Sequence, residues 1–176
     1  MAADAAPGWF GKLAMLGDFA SRRLDPGCVR TCDQWLSAGL QASRQALGER
    51  WVQAYLAAPA WRFAWGPGIV DARWWFGVLM PSCDSVGRYY PLLVAQARAR
   101  PPADRIALDH LELWWRQLLH AGLTSLGDGA AEGLAQRLAG ASAWWPAGEP
   151  GTGGSCSLVS GLPPPAALTE MLLGRW

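Results

Sequence analysis

The chain has 176 residues, with 15 lysine and arginine residues against 14 aspartate and glutamate residues, a formal net charge of +1 and 51% hydrophobic residues. Only 16% of the residues are charged, against about 25% in an average soluble domain, which excludes global disorder and argues against binding nucleic acid through charge. The length is typical of one domain, and we expect a single domain over residues 1–176. Twelve residues are tryptophan, and Lys12 is the only lysine.

We expect neither a membrane span nor a secretion signal. The longest apolar stretch, residues 74–80, has the length of a strand, whereas a span needs about 18 apolar residues, so we expect no stable membrane insertion. Residues 1–7 carry neither a basic nor an apolar segment of the kind that signal peptides have. We therefore expect the protein in the cytoplasm, with reduced and buried thiols. The cysteines are Cys28, Cys32, Cys83 and Cys156.

The N-terminal part predicts a strand, a tight loop and a helix. Residues 7–19 mix three glycines with aromatic residues, which is typical of a short strand that runs into a loop. Thr31 and Gln34 fit a capping box, so a helix is predicted to begin there. Apolar residues then recur at helical spacing until Gly48, which is predicted to end the helix.

After residue 59 the hydrophobic period changes. A short helix over 49–58 is followed by strands predicted over 61–65, 74–80 and 89–97, in an antiparallel meander. Strand 74–80 is apolar throughout, so both of its faces should be covered by helices. This predicts an α/β fold with a central, largely antiparallel sheet. In the short helix, the residues predicted to face the core are Trp51, Val52 and Tyr55. In the strands, the predicted core residues are Trp61, Phe63, Trp75 and Val78.

The second half predicts two more helices around a hairpin. A long amphipathic helix over 104–126 is followed by a shorter one over 130–138. A strand at 143–145 is predicted to pair with 156–159, and a last helix covers 165–173. The apolar residues of the long helix are Ile106, Leu111, Trp114, Trp115, Leu118, Leu119 and Leu123.

The common catalytic and metal-binding templates do not fit. The glycines around Lys12 suggest a phosphate-binding loop, but Ala6 occupies its first glycine position and Leu13 replaces its hydroxyl. His110 and His120 lie on one predicted helix without the partner ligands of a zinc site. A serine nucleophile elbow is also missing. We predict no catalytic residue, no cofactor and no metal site.

The segment 81–91 holds the densest group of polar residues. One interpretation is structural: Asp84 closes a turn on its own backbone, Gly87 adopts a positive φ, and Arg88 pairs with Asp84. The other is functional, because loops on a rigid sheet often carry recognition. The residues presented to a partner would then be Ser82, Asp84, Ser85 and Arg88. In the same way, Asp18 with Arg22 and Arg23 forms either a structural ion pair or the rim of an interface.

Tryptophan occurs in three adjacent pairs, at 74–75, 114–115 and 144–145. Neighbours on a strand face opposite sides, so we expect the pairs to leave some indole rings exposed. Indole is favoured at protein interfaces, and low charge with exposed tryptophan points to a protein that binds protein.

Several ordered motifs resemble the type VI secretion-associated TagF family, also called ImpM. The first motifs are Gly-Trp-Phe-Gly-Lys-Leu at 8–13, Gly-Asp-Phe at 17–19 and Asp-Gln-Trp-Leu at 33–36. The longest runs over 77–92, Gly-Val-Leu-Met-Pro-Ser-Cys-Asp-Ser-Val-Gly-Arg-Tyr-Tyr-Pro-Leu. Together the motifs span residues 8–92.

The chain departs from the family pattern at a few positions. Ala14 replaces a proline, Cys83 a valine, Ser85 a basic residue and Tyr90 a phenylalanine. A basic residue at position 85 could form an ionic contact with a partner, and serine cannot. We therefore expect Ser85 to affect the affinity for a partner. Tyr90 keeps the aromatic body and should be benign if its hydroxyl reaches solvent.

The resemblance implies a cytoplasmic accessory protein that represses the type VI secretion system after translation by binding its forkhead-associated scaffold protein. It implies an α/β/α sandwich, with helices on both faces of the sheet, and no catalytic residue. The motif or partner-binding residues that it indicates are Gly11, Lys12, Gly17, Asp18, Ser82, Asp84, Ser85, Gly87 and Arg88.

Two other functions remain open on the sequence. A small enzyme would use Asp84 and Arg88, and would need a pocket that holds a carboxylate with a perturbed pKa. A structural subunit would instead be part of the secretion apparatus itself.

Overall fold

The computed structural model describes residues 7–13, 17–124, 141–146 and 157–176. The predicted helix over 130–138 and Cys156 lie outside these residues. The described strands form one antiparallel sheet in the order β2-β1-β5-β4-β3-β6-β7. The strands are β1 Gly8–Gly11, β2 Ala20–Arg22, β3 Trp61–Trp65, β4 Trp74–Met80, β5 Leu92–Arg98, β6 Ala141–Pro146 and β7 Ser157–Ser160. The helices are α1 Pro26–Leu47, α2 Trp51–Ala57, α3 Arg105–Thr124 and α4 Ala167–Leu172, with a 3-10 turn at Gly48–Arg50.

Helices cover both faces of the sheet, which confirms the predicted α/β/α sandwich. Along β4, Trp75 and Leu79 pack with α1, α2 and α4, whereas Phe76 and Val78 face α3. Because alternate strand residues point to opposite faces, an apolar run without polar interruptions supplies both cores. The four predicted core residues of the strands, Trp61, Phe63, Trp75 and Val78, are all buried.

Gly77 allows the two central strands to approach each other. A Cβ at this position would lie 2.0 Å from the backbone oxygen of Val94 on β5 and 2.6 Å from the ring of Phe63 on β3. No side chain fits at these distances, so glycine is required at this position of β4, which lies between β3 and β5 in the sheet.

The predicted start of the first helix is wrong. α1 begins five residues before Thr31, at Pro26, and Asp25 is its N-cap, with Oδ1 accepting a hydrogen bond from the Cys28 amide at 2.9 Å. Proline is suited to the first helical position because the missing N–H would have no helical partner there. The predicted end at Gly48 is confirmed, with φ of 53°.

Removal of this cap should destabilise the protein. We expect Asp25→Ala to lower the free energy of unfolding by about 1 kcal/mol, because the Cys28 amide loses its acceptor. Asp25→Asn keeps an acceptor and should cost much less. Thr31→Ala is the matched control, since Thr31 lies inside the helix and does not cap it. Urea unfolding measures the stability of all three variants. An equal loss of unfolding free energy for Asp25→Ala and Thr31→Ala would contradict the assignment of Asp25 as the N-cap.

The expectation of exposed tryptophan pairs is wrong for the indole rings that the structure describes. Trp75 is buried and Trp74 is half-buried against the α3 side of the sheet. Trp114 and Trp115 are both buried, because neighbouring residues on a helix can share a wide apolar face. Trp144 is also buried, and the side chain of Trp145 is outside the described set.

Two other residues predicted to face the core are exposed. Val52 on α2 is 43% exposed, although Trp51 and Tyr55 of the same helix are buried as predicted. Ile106 is 68% exposed in the first turn of α3. The sheet therefore covers a narrower stripe of each helix than the apolar spacing indicates.

Candidate functional site

The two longest sequence motifs meet at one end of the sheet. Gly11 at the end of β1 is paired with Leu92 at the start of β5, and Leu92 is paired with Met80 at the end of β4. The loop after β1 and the loop 81–91 therefore leave the sheet side by side. Gly11 has φ of 132°, and a Cβ there would lie 2.1 Å from the carbonyl oxygen of Pro91, so only glycine permits this approach.

Asp84 is the centre of the polar network at this end. Its Oδ2 accepts hydrogen bonds from Lys12 Nζ at 2.7 Å and from Arg88 Nε at 2.7 Å. Its Oδ1 accepts from the backbone amides of Val86 at 3.1 Å and Arg88 at 2.8 Å. Gly87 lies between these amides with φ of 78°. The predicted turn, the positive φ of Gly87 and the pair of Asp84 with Arg88 are therefore all present, and Lys12 is a further partner that sequence spacing did not indicate.

The surroundings of Asp84 keep its carboxylate ionised. Burial by itself would raise the pKa of Asp84, whose side chain is inaccessible to solvent. The hydrogen bonds from Lys12, Arg88 and the two amides outweigh burial and hold the pKa of Asp84 well below its usual value. Such a carboxylate is a weak proton acceptor, whereas an efficient general base has a pKa near the operating pH.

The depressed pKa of Asp84 predicts a pH-dependent contribution to stability. The unfolded pKa is about 4, so the ionised carboxylate stabilises the fold above that pH, and this stabilisation is lost as the pH falls toward the folded value. Asp84→Asn cannot ionise. We expect urea unfolding to show the wild type more stable than this variant at pH 7, with the difference shrinking progressively below about pH 5. A difference that stays constant down to about pH 3 would contradict this assignment.

Further hydrogen bonds tie the two loops together. Arg88 Nη2 donates to the carbonyl of Gly17 at 2.6 Å, and Ser82 Oγ donates to the carbonyl of Lys12 at 2.7 Å. Tyr55 on α2 completes the network: its hydroxyl donates to the Ser82 carbonyl at 2.8 Å and accepts from the Ser82 amide at 3.0 Å. Together with Tyr55, five of the predicted motif residues thus hold the loops in one arrangement: Lys12, Gly17, Ser82, Asp84 and Arg88.

Tyr90 has a structural role that the sequence comparison missed. Its hydroxyl does not point to solvent but donates to Asp33 Oδ1 on α1 at 2.8 Å. The ring stacks edge to face on Phe10 and Phe19, with centroids 5.8 and 4.6 Å away. The tyrosine therefore adds a hydrogen bond between the loop and α1.

The remaining predicted motif residues lie on the surface. Asp18 is exposed, and its Oδ1 accepts from the Phe19 amide at 2.8 Å. Among the described residues it forms no ion pair with Arg22 or Arg23, so a structural ion pair is ruled out there. Ser85 is exposed and close to Gly17, where a Cβ would lie 3.7 Å from Ser85 Oγ.

The described residues do not form a metal site. No group of three or more potential ligand side chains occurs in the described ranges. Cys28 and Cys32 are fully buried with their sulfur atoms 4.0 Å apart, and the hydrogen bond with the Cys28 thiol, together with burial, raises the pKa of Cys32. None of the helices in the described part of the chain is long and apolar enough to span a membrane.

A small cavity opens beside the motif loops, with about 280 Å³ of space that includes open solvent. Neither Asp84 nor Arg88 lines it, so it does not supply the pocket that an enzyme at this loop would need. The lining residues are Tyr55, Ala58, Pro59, Trp61, Leu79, Met80, Pro81, Pro91, Leu168, Met171 and Leu172.

Known proteins provide an independent comparison. The model of the TagF N-terminal domain, described as type VI secretion system-associated, matches residues 8–140. The crystal structure of PA0076 from Pseudomonas aeruginosa PAO1 is similar over 94% of this chain and 93% of that chain, with 32% identity and a TM-score of 0.71. No curated protein sequence matches. The match covers the motifs at both loops and confirms the resemblance seen in the sequence. The chain therefore belongs to the TagF N-terminal domain family and is a type VI secretion system-associated protein.

Proposed function

We propose that this protein is a cytoplasmic regulator that represses the type VI secretion system after translation, by binding the forkhead-associated scaffold protein and without catalysing a reaction. The proposal rests on membership of a type VI secretion-associated family and on the partner that its motifs imply. The observation that carries it is the network in which Asp84 joins the two motif loops into one surface. A network of this kind suits recognition better than proton transfer.

A rigid recognition surface lowers the cost of binding. Loops ordered before association lose less conformational entropy when a partner docks. The bonds of Arg88 to Gly17 and of Ser82 to Lys12 restrict both loops in the free protein. Binding would then reduce the concentration of free scaffold available for assembly, as mass action requires.

The test combines a binding assay with a secretion assay. We expect the purified protein to bind the purified scaffold in isothermal titration calorimetry, and deletion of its gene to increase type VI secretion. Absence of binding would disprove the proposed mechanism, and unchanged secretion on deletion would disprove the proposed regulatory role.

The same experiments separate the two other functions. A structural subunit would co-purify in fixed stoichiometry with the assembled apparatus, and its deletion would abolish secretion. An enzyme at the loop would lose its cellular effect on Asp84→Asn even if scaffold binding were retained.

A further inference from the structure

The sheet end that holds the Asp84 network exposes two apolar side chains beside a cation. Phe19 is 48% exposed, Val86 is 70% exposed, and the side chain of Arg88 is 57% exposed. We call these three residues the motif-end surface. Phenylalanine and arginine are among the residue types enriched at protein interfaces, and Val86 adds exposed apolar area beside them.

The network fixes the three residues relative to one another. Val86 donates its amide to Asp84 Oδ1, and Arg88 donates its Nε to Asp84 Oδ2. Lys12 approaches the same carboxylate, and its Nζ lies 4.8 Å from the centre of the Phe19 ring. All three surface residues are therefore positioned around one buried carboxylate.

Arg88 is the one charged side chain among the three residues of the motif-end surface. Lys12 and Asp84 are buried and pair with each other. The Arg88 guanidinium uses Nε for Asp84 and Nη2 for Gly17, whereas its Nη1 donates to no acceptor in the described part of the chain. An exposed guanidinium with free N–H groups favours a carboxylate on the partner.

Asp18 restricts where that carboxylate can lie. Its exposed carboxylate follows Gly17, the residue that Arg88 contacts. A carboxylate that approached from solvent would be attracted by Arg88 and repelled by Asp18, so the two charges limit the positions that it could take.

We propose that the motif-end surface binds a protein segment in which an aspartate or glutamate carboxylate lies beside an apolar side chain. The carboxylate accepts from Arg88 Nη1, and the apolar side chain packs on Phe19 and Val86. This inference rests on the proposed function, because the partner that carries the segment is the scaffold protein.

The experiment uses opposite charges at one exposed position. Val86→Asp and Val86→Lys remove the same apolar contact, but the aspartate repels a carboxylate at Arg88 whereas the lysine attracts it. Ile106→Asp on α3 is the matched control, since Ile106 has a similar exposure of 68% and lies on the helix at the opposite face of the sheet. Binding to the purified scaffold is measured by calorimetry, and circular dichroism checks that each variant is folded.

We expect Val86→Asp to weaken binding by about tenfold or more, Val86→Lys to weaken it by less than about threefold, and Ile106→Asp to leave it unchanged. Equal losses for Val86→Asp and Val86→Lys would overturn the carboxylate assignment. Unchanged affinity of both Val86 variants for the scaffold would show that the motif-end surface is not the binding surface, and it would leave the proposed function standing. No binding by the wild type would overturn both proposals together.

Discussion

Trp75→Ala is expected to lower the free energy of unfolding by about 3–5 kcal/mol, the range for a buried tryptophan replaced by alanine. Trp75 is 2% exposed and lies opposite Trp65 in the β3–β4 register. Its Nε1 donates to Asp71 at 3.2 Å, and the Arg73 guanidinium lies 4.9 Å from the ring centre. The substitution leaves a large cavity between the sheet and the α1 layer.

Thermal unfolding followed by circular dichroism measures this loss, which should appear as a fall in Tm of about 6–20 °C. Trp74→Ala is the matched control, because its half-buried ring lies on the other face of the same strand and should cost less. Equal falls in Tm for the two variants would contradict the placement of Trp75 in the core between the sheet and helices α1, α2 and α4.

Lys12→Met is expected to be the second most damaging change. Lys12 is 4% exposed, and its Nζ lies 2.7 Å from the carboxylate of Asp84. Methionine has a similar length but no charge, so Asp84 is left buried with only Arg88 as a cationic partner. Loss of one partner from a buried ion pair is expensive, and we expect Lys12→Met to cost about 3 kcal/mol.

A double-mutant cycle distinguishes the ion pair from simple packing. If the pair is responsible, Lys12→Met with Asp84→Asn should be clearly more stable than the sum of the two single losses predicts. Additive losses in urea unfolding would show that Lys12 acts independently of Asp84. Because Lys12 is the only lysine, its slow modification by an amine reagent in the folded protein would report on the same contact.

Strands with strong local signals could be predicted from the sequence almost without error. β3 and β4 have the predicted bounds, 61–65 and 74–80, because each is rich in aromatic residues and is bounded nearby by glycine, proline or a charged residue. The run predicted over 89–97 becomes a strand only from Leu92, because Tyr89 and Tyr90 belong to the loop, where Tyr89 forms an isolated bridge with Cys83.

The start of α1 could also have been predicted from local signals. Asp25 followed by Pro26 is the usual sequence of an N-cap and first helical residue. Thr31 and Gln34 resemble a capping box but lie inside the helix, since a capping pattern has no effect where the preceding residues are already helical. The start of α1 therefore depends on a local capping signal and not on tertiary structure.

The candidate site depended on contacts that local patterns do not contain. The bond between Asp84 and Arg88 joins residues four apart and was predicted, whereas Lys12 and Asp84 are separated by 72 residues. Tyr90 and Asp33 are separated by 57 residues. The first contact follows from the position of β1 beside β5, and the second from the packing of α1 near the end of the sheet where β5 begins, and no periodicity indicates either.

The sequence by itself determined the family, the α/β class, the central strands and the turn around Asp84, because each depends on residue order over short segments. Only the tertiary structure decided that the sole lysine is a buried partner of Asp84, and that the described tryptophan rings lie mostly in the two cores. The physical reason is that burial of an indole or an ammonium depends on which strands and helices become neighbours. The sheet order 2-1-5-4-3-6-7 sets those neighbours, and it leaves Phe19, Val86 and Arg88 exposed at the end where the family motifs meet.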